Sequence, residues 1–207
     1  MSGTTIVIGP DDGDSQRFAS ALGARLVPAP AFADEEGWRA WRDALVSEPK
    51  ASGVVVSLPA AKHEPAAIST LALEGWMARG EAPLLGWMTA LGGAAPLCAD
   101  GGAIVAVVDG PPPLDSAGLA PEAAVAEGVV ALVRSLALSE GRRGVRANTV
   151  TTPSRLLSGP PIAPDPPLAG FPGTIEEDVL AAVRLLLSAD AAYLSGHCLP
   201  ADRGRSW

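Results

Sequence analysis

The chain has 207 residues, 48% hydrophobic and 18% charged, which is enough apolar material for one sizeable core and reads as a single domain over residues 1–207. A mean hydropathy of +0.25 argues against disorder. With 15 basic against 23 acidic residues and no cluster of bases, the net charge of −8 argues against nucleic acid as a partner. Cys98 and Cys198 are isolated thiols without metal or redox spacing, as expected in a reducing cytosol. No apolar run approaches the ~20 residues of a spanning helix, and Met-Ser-Gly-Thr-Thr leads straight into a strand pattern without a leader-type segment. The expectation is a cytoplasmic protein with no membrane partner.

In chain order, short β-rich runs alternate with helical patterns, the sign of a βαβ architecture with a mostly parallel, buried sheet. Thr5–Ile8 predicts a first strand, stopped by Gly9-Pro10. Asp14 or Ser15 is placed to cap a helix bearing Phe18, Ala19 and Leu22 and ended by Gly23. Arg25–Val27 predicts a second strand closed by Pro28 and Pro30, and 34–47 a helix with Trp38, Trp41 and Leu45 on one stripe. Val54–Val56 is a third strand. Residues 66–91 are helical in composition, but Pro83 predicts a split or a kink. A strand over 103–108 precedes the strongest helix pattern, 121–140, which opens with Pro121 and carries Val125, Val129, Leu132 and Leu136. A strand at 145–151, a Pro-rich loop at 158–173, a helix at 175–188 and a short strand near Cys198-Leu199-Pro200 complete the chain.

From residue 101 onward the order of motifs resembles the short-chain dehydrogenase/reductase family. Gly102–Val108 resembles its fifth strand. Arg134-Ser135-Leu136-Ala137-Leu138 followed by Gly144-Val145-Arg146-Ala147-Asn148-Thr149-Val150 resembles its long helix and the strand after it. Leu187-Ser188-Ala189-Asp190-Ala191-Ala192-Tyr193-Leu194-Ser195-Gly196 and Asp202-Arg203-Gly204 resemble its closing turns. The resemblance implies a doubly wound, Rossmann-like parallel α/β sheet of about six strands, truncated by one β-α unit between residues 30 and 34.

In that family a Tyr and a Lys four residues later perform the proton transfer, because one helical turn sets them side by side. An ungapped count back from Arg134 puts Glu122 at the Tyr position and Ala126 at the Lys position. The family's Ser aligns with Asp109 and its Asn with Pro83, and the only tyrosine, Tyr193, lies in the closing turn. The nucleotide loop reads Gly9-Pro10-Asp11-Asp12-Gly13-Asp14-Ser15. It keeps Gly9 and Gly13, puts Ser15 at the third glycine, and crowds carboxylates where a pyrophosphate would rest on helix amides.

Asp109 and Glu122 are expected to be solvated, or Glu122 to complement the helix dipole, although both could face one crevice as an acid/base pair. His63 and His197 lack metal-ligand spacing, so no metal is expected. The tryptophans, Trp207 included, suit core or subunit contacts. The implied protein is a catalytically silent member of the family, with weak or absent NAD(P) binding. It would pair with an active homologous dehydrogenase, or with itself, through helix 121–140 and the 175–204 unit. Two alternatives stay open: a cofactor-independent enzyme using Asp109 and Glu122, and a small-molecule-binding protein whose Pro-rich loop closes over its ligand.

Overall fold

The structure, a computed structural model, describes residues 4–157 and 167–206. Six strands form one parallel sheet: β1 (Thr5–Gly9), β2 (Arg25–Pro28), β3 (Ala51–Ser57), β4 (Cys98–Asp109), β5 (Arg146–Thr152) and β6 (Cys198–Pro200). Their order is β2-β1-β3-β4-β5-β6. The central strands are runs of Val, Ile and Ala because both faces are covered. In β4, Ile104, Ala106 and Val108 enter one apolar cluster while Val105 and Val107 enter the other.

Helices α1 (Gly13–Ala21) and α6 (Leu180–Leu187) cover the second face through Phe18, Ala19, Leu180, Val183 and Leu186. The first face is covered by α2 (Glu35–Leu45), α4 (Ala82–Leu97) and α5 (Ala120–Glu140), with Trp38, Trp87, Leu91, Val125 and Val129 inside. β1 pairs with β2 on one side and β3 on the other, so the strand order reverses there. In open α/β sheets that switch point leaves a crevice outside the carboxyl ends of the strands.

Two elements depart from the sequence expectation. The first helix begins at Gly13 and is capped by Asp12, with Asp14 and Ser15 inside it. The helical stretch predicted at 66–91 starts instead with the short α3 (Leu73–Trp76), runs through a π-turn at Met77–Glu81, and continues as α4 to Leu97. Pro83 therefore does not split it. Pro83 has no N–H to donate, and its ring would crowd the carbonyl four residues back. The wider turn just ahead of it, closed by Ala82 N–H donating to Met77, absorbs the misfit. Of the Pro-rich loop, residues 158–166 lie outside the described residues, as does Trp207, and 167–173 contain no helix or strand.

The sheet ends at β2, and the chain passes directly from it into α2. Residues 28–34 are fastened by two indole donors, Trp38 Nε1 to the Ala31 carbonyl at 3.1 Å and Trp41 Nε1 to that of Pro28 at 2.6 Å. Phe32 thereby settles on α4 at Gly86, where an added Cβ would lie 2.5 Å from the Phe32 ring. Both edge strands are short and end in proline, which blunts their pairing edges.

Candidate functional site

The switch-point crevice receives most of the residues singled out in the sequence. Asp109, the last residue of β4, is buried, its side chain 1% exposed. Its Oδ2 accepts the Ala60 N–H at 2.8 Å, and its Oδ1 accepts Arg155 Nε at 2.6 Å. Arg155 follows β5 and leans back over the strand ends, with Nη1 3.3 Å from Ser57 Oγ on β3. Its Nη2 is buried without a hydrogen-bond partner among the described residues.

Glu122 stands in the first turn of α5, where Pro121 starts the helix. Its two oxygens accept Arg79 Nε at 2.7 Å and Arg79 Nη2 at 2.9 Å, a bidentate pair with side chains only 6% and 3% exposed. The π-turn delivers Arg79 to this place, and the guanidinium also donates to the carbonyls of Glu64 and Gly118. The expectation of solvated carboxylates is therefore overturned. Each has an arginine brought to it from more than 40 residues away, since neither could be buried alone without a large desolvation cost.

Asp109, Glu122 and Pro83 do face one space, together with Phe32, Arg79 and Trp87, but that cavity measures only about 20 Å³, about the room of a single water. Ala126 lies to one side of it, buried beneath Gly110, whose added Cβ would come within 2.9 Å of the Ala126 methyl. A third buried pair, Arg205 with Asp115, ties the last described residues to the segment after β4 through contacts of 2.6 and 2.9 Å.

At the β1–α1 end the backbone keeps a tight approach. A Cβ on Gly9 would lie 2.9 Å from the Ser57 carbonyl. Ser15 is buried against it, in place of a third glycine. The anion position of α1 is taken from within: Asp12 Oδ1 accepts the Ser15 N–H at 2.7 Å. Asp11 bonds Gln16 and Asp14 pairs with Arg17 on the surface.

The remaining candidates lie elsewhere. His63, His197 and Tyr193 are exposed. Among the described residues no group of three or more His, Cys, Asp or Glu is placed to hold a metal ion. Burial pushes the Cys98 thiol up to about 11 and raises that of Cys198 as well, so neither is an activated nucleophile. No helix among the described residues is long and apolar enough to cross a membrane.

Sequence reasoning missed Arg79, Arg155, Phe32 and the capping role of Asp12. Only Asp12 carried a local signal, an Asp three residues ahead of a helical amide.

Comparison with solved structures places this fold. A short-chain dehydrogenase/reductase of Serratia marcescens superimposes with a TM-score of 0.70 at 17% identity, over 99% of this chain and 98% of that one. Sorbitol-6-phosphate 2-dehydrogenase of Erwinia amylovora gives 0.68 at 15% identity, over 99% and 100%. A blue fluorescent protein from a metagenomic library, in complex with NADPH, gives 0.66 at 19% identity, over 98% and 88%. No protein-family model matches the sequence, and no curated protein does. At identities this low the likeness establishes the fold: a Rossmann-like α/β sheet of the kind seen in short-chain dehydrogenase/reductases.

Proposed function

We propose that this chain is a catalytically silent relative of the short-chain dehydrogenase/reductases that works as a partner subunit, pairing with an active dehydrogenase of the same fold or with itself. The observation that carries the reading is the filled crevice. Pockets for small molecules and cofactors measure about 300–1,000 Å³, whereas Phe32 and Arg79 leave about 20 Å³ between Asp109 and Glu122, and the hollow between Ser15, Ser57 and Arg155 holds about 130 Å³.

The residues present do not fit a nicotinamide dinucleotide. A pyrophosphate at α1 would have to displace the Asp12 carboxylate from the Ser15 amide, and a ring between Asp109 and Glu122 would have to displace the paired Arg79. Neither Glu122, with both oxygens bonded, nor Ala126 stands in for the Tyr/Lys proton-transfer pair. The outer surfaces proposed for pairing support the second half of the reading. On helix 121–140 Leu138 is 85% exposed, and in the 175–204 unit Tyr193 is fully exposed and Leu185 43% exposed.

Titration of the purified protein with NADH and NADPH, read by calorimetry, tests the first half. No heat of binding is expected at micromolar cofactor, and saturable micromolar binding of either would overturn it. For the second half, isolation from native extracts should yield a dimer of the chain or a complex with an active dehydrogenase, and a lone monomer would refute it.

A further inference from the structure

We infer that the amino end of the sheet holds a binding site, a hollow built around Arg146 that takes the acidic group of a small organic anion. The hollow lies at the opposite end of the strands from the crevice, so it is independent of the function proposed above.

Six arginines among the described residues are buried or partly buried: Arg79, Arg143, Arg146, Arg155, Arg203 and Arg205. Five of them meet a carboxylate. Arg146, the first residue of β5, meets none among the described residues. Its Nη1 donates to the Leu186 carbonyl at 2.8 Å and its Nη2 to that of Ser188 at 3.2 Å. The Nε hydrogen and the second hydrogen of each Nη have no partner among the described residues. Neutral carbonyls satisfy donors without cancelling the charge. Burial accordingly holds the pKa of Arg146 below the ordinary arginine value, with no carboxylate to offset it.

Arg146 lines a hollow of about 500 Å³, a size usual for small-molecule pockets. One wall is a bulge in β4. The pairing with β3 passes from Ala51–Cys98 to Gly53–Ala103, so Ala99, Asp100, Gly101 and Gly102 stand against Ser52 alone. Gly101 and Gly144 take φ of 75° and 69°, and a Cβ on Gly144 would lie 3.5 Å from the Gly101 Cα. Here the hollow is faced by bare backbone, in conformations that a side chain would strain. The bulge's one acid, Asp100, is held by Arg143 at 2.9 Å and does not line the hollow. Leu187, Ala189 and Ala192 add apolar surface, and the Thr5 side chain adds a hydroxyl. One cation, a few hydroxyls and an otherwise uncharged lining fit a molecule with one acidic group on an apolar body. Its carboxylate or phosphate would accept the open N–H groups of the guanidinium and supply the charge that the fold gives the other five arginines.

Fluorine NMR of para-fluorobenzoate with the full-length protein tests the site, with para-fluorobenzamide as the uncharged control. The benzoate should bind saturably at one site, about tenfold or more tightly than the benzamide. Arg146→Gln should weaken the benzoate about tenfold. Because Arg146 also holds the end of α6, Ala192→Glu serves as a second variant: Ala192 is exposed at the rim, and its replacement leaves Arg146 in place while tethering a competing carboxylate beside the hollow. It should weaken the benzoate as well. Displacement of the probe by phenyl phosphate more readily than by benzoate would support the site with a phosphate as the acidic group, and the reverse order with a carboxylate. Absence of saturable binding at about 10 mM probe, equal binding of the benzamide, or unchanged binding by both folded variants would overturn the inference.

Discussion

The two ends of the crevice hold their carboxylates by different means. At the β4–α5 end, carboxylates at the strand and helix termini are buried, and arginines from distant segments neutralise them. At the β1–α1 end, one carboxylate on an exposed residue turns back to cap its own helix. A local cap can be lost with little consequence for the rest of the fold, whereas a sealed ion pair cannot lose one member without stranding the other. Within the β4–α5 end the pairs differ as well. Arg79–Glu122 is bidentate and nearly sealed, while Arg155 holds Asp109 through one contact and remains 21% exposed.

That gradient is open to measurement by urea denaturation. The largest effect is expected from Glu122→Ala or Arg79→Ala, each costing about 3–5 kcal/mol because an uncompensated charge stays buried. The joint replacement R79M/E122L should recover most of the loss. A cost below about 1 kcal/mol for either single variant would mean that the pair is not sealed.

Arg155→Ala should cost less, about 1–3 kcal/mol, since Asp109 keeps the Ala60 amide and water can enter where the partly exposed guanidinium stood. Asp12→Ala should cost about 1 kcal/mol, the usual value of an N-cap, and should leave the Arg79–Glu122 coupling unchanged in a double-mutant cycle. Equal costs at all three places would erase the distinction between the two ends.

Most of the frame was legible in the sequence. Val54–Val56 and the run from Ala103 read as buried strands because both faces of a parallel sheet are apolar, and 121–140 read as a helix from its proline start and broad apolar stripe. The shortened edge after β2 was legible as well. Local patterns failed where a conformation answered a distant constraint. The π-turn at Met77–Glu81 depends on Pro83, yet its consequence, Arg79 against Glu122, spans 43 residues.

The candidate site was therefore half visible. The sequence pointed to Asp109, Glu122 and Pro83, and the structure gathers all three around one small space. Their surroundings were expected to be solvent because nothing adjacent in the chain neutralises them. Ala126, assigned to the same site, lies instead under Gly110.

By itself, the sequence determined the alternation of strands and helices, the apolar interior of the sheet and the chemical identity of the crevice residues. These are encoded in periodicity and composition over a few turns. Only the tertiary structure decided that Asp109 and Glu122 are buried, each against an arginine. Burial of a charge depends on whether the topology brings an opposite charge to it, and here the arginines arrive from the π-turn and from beyond β5.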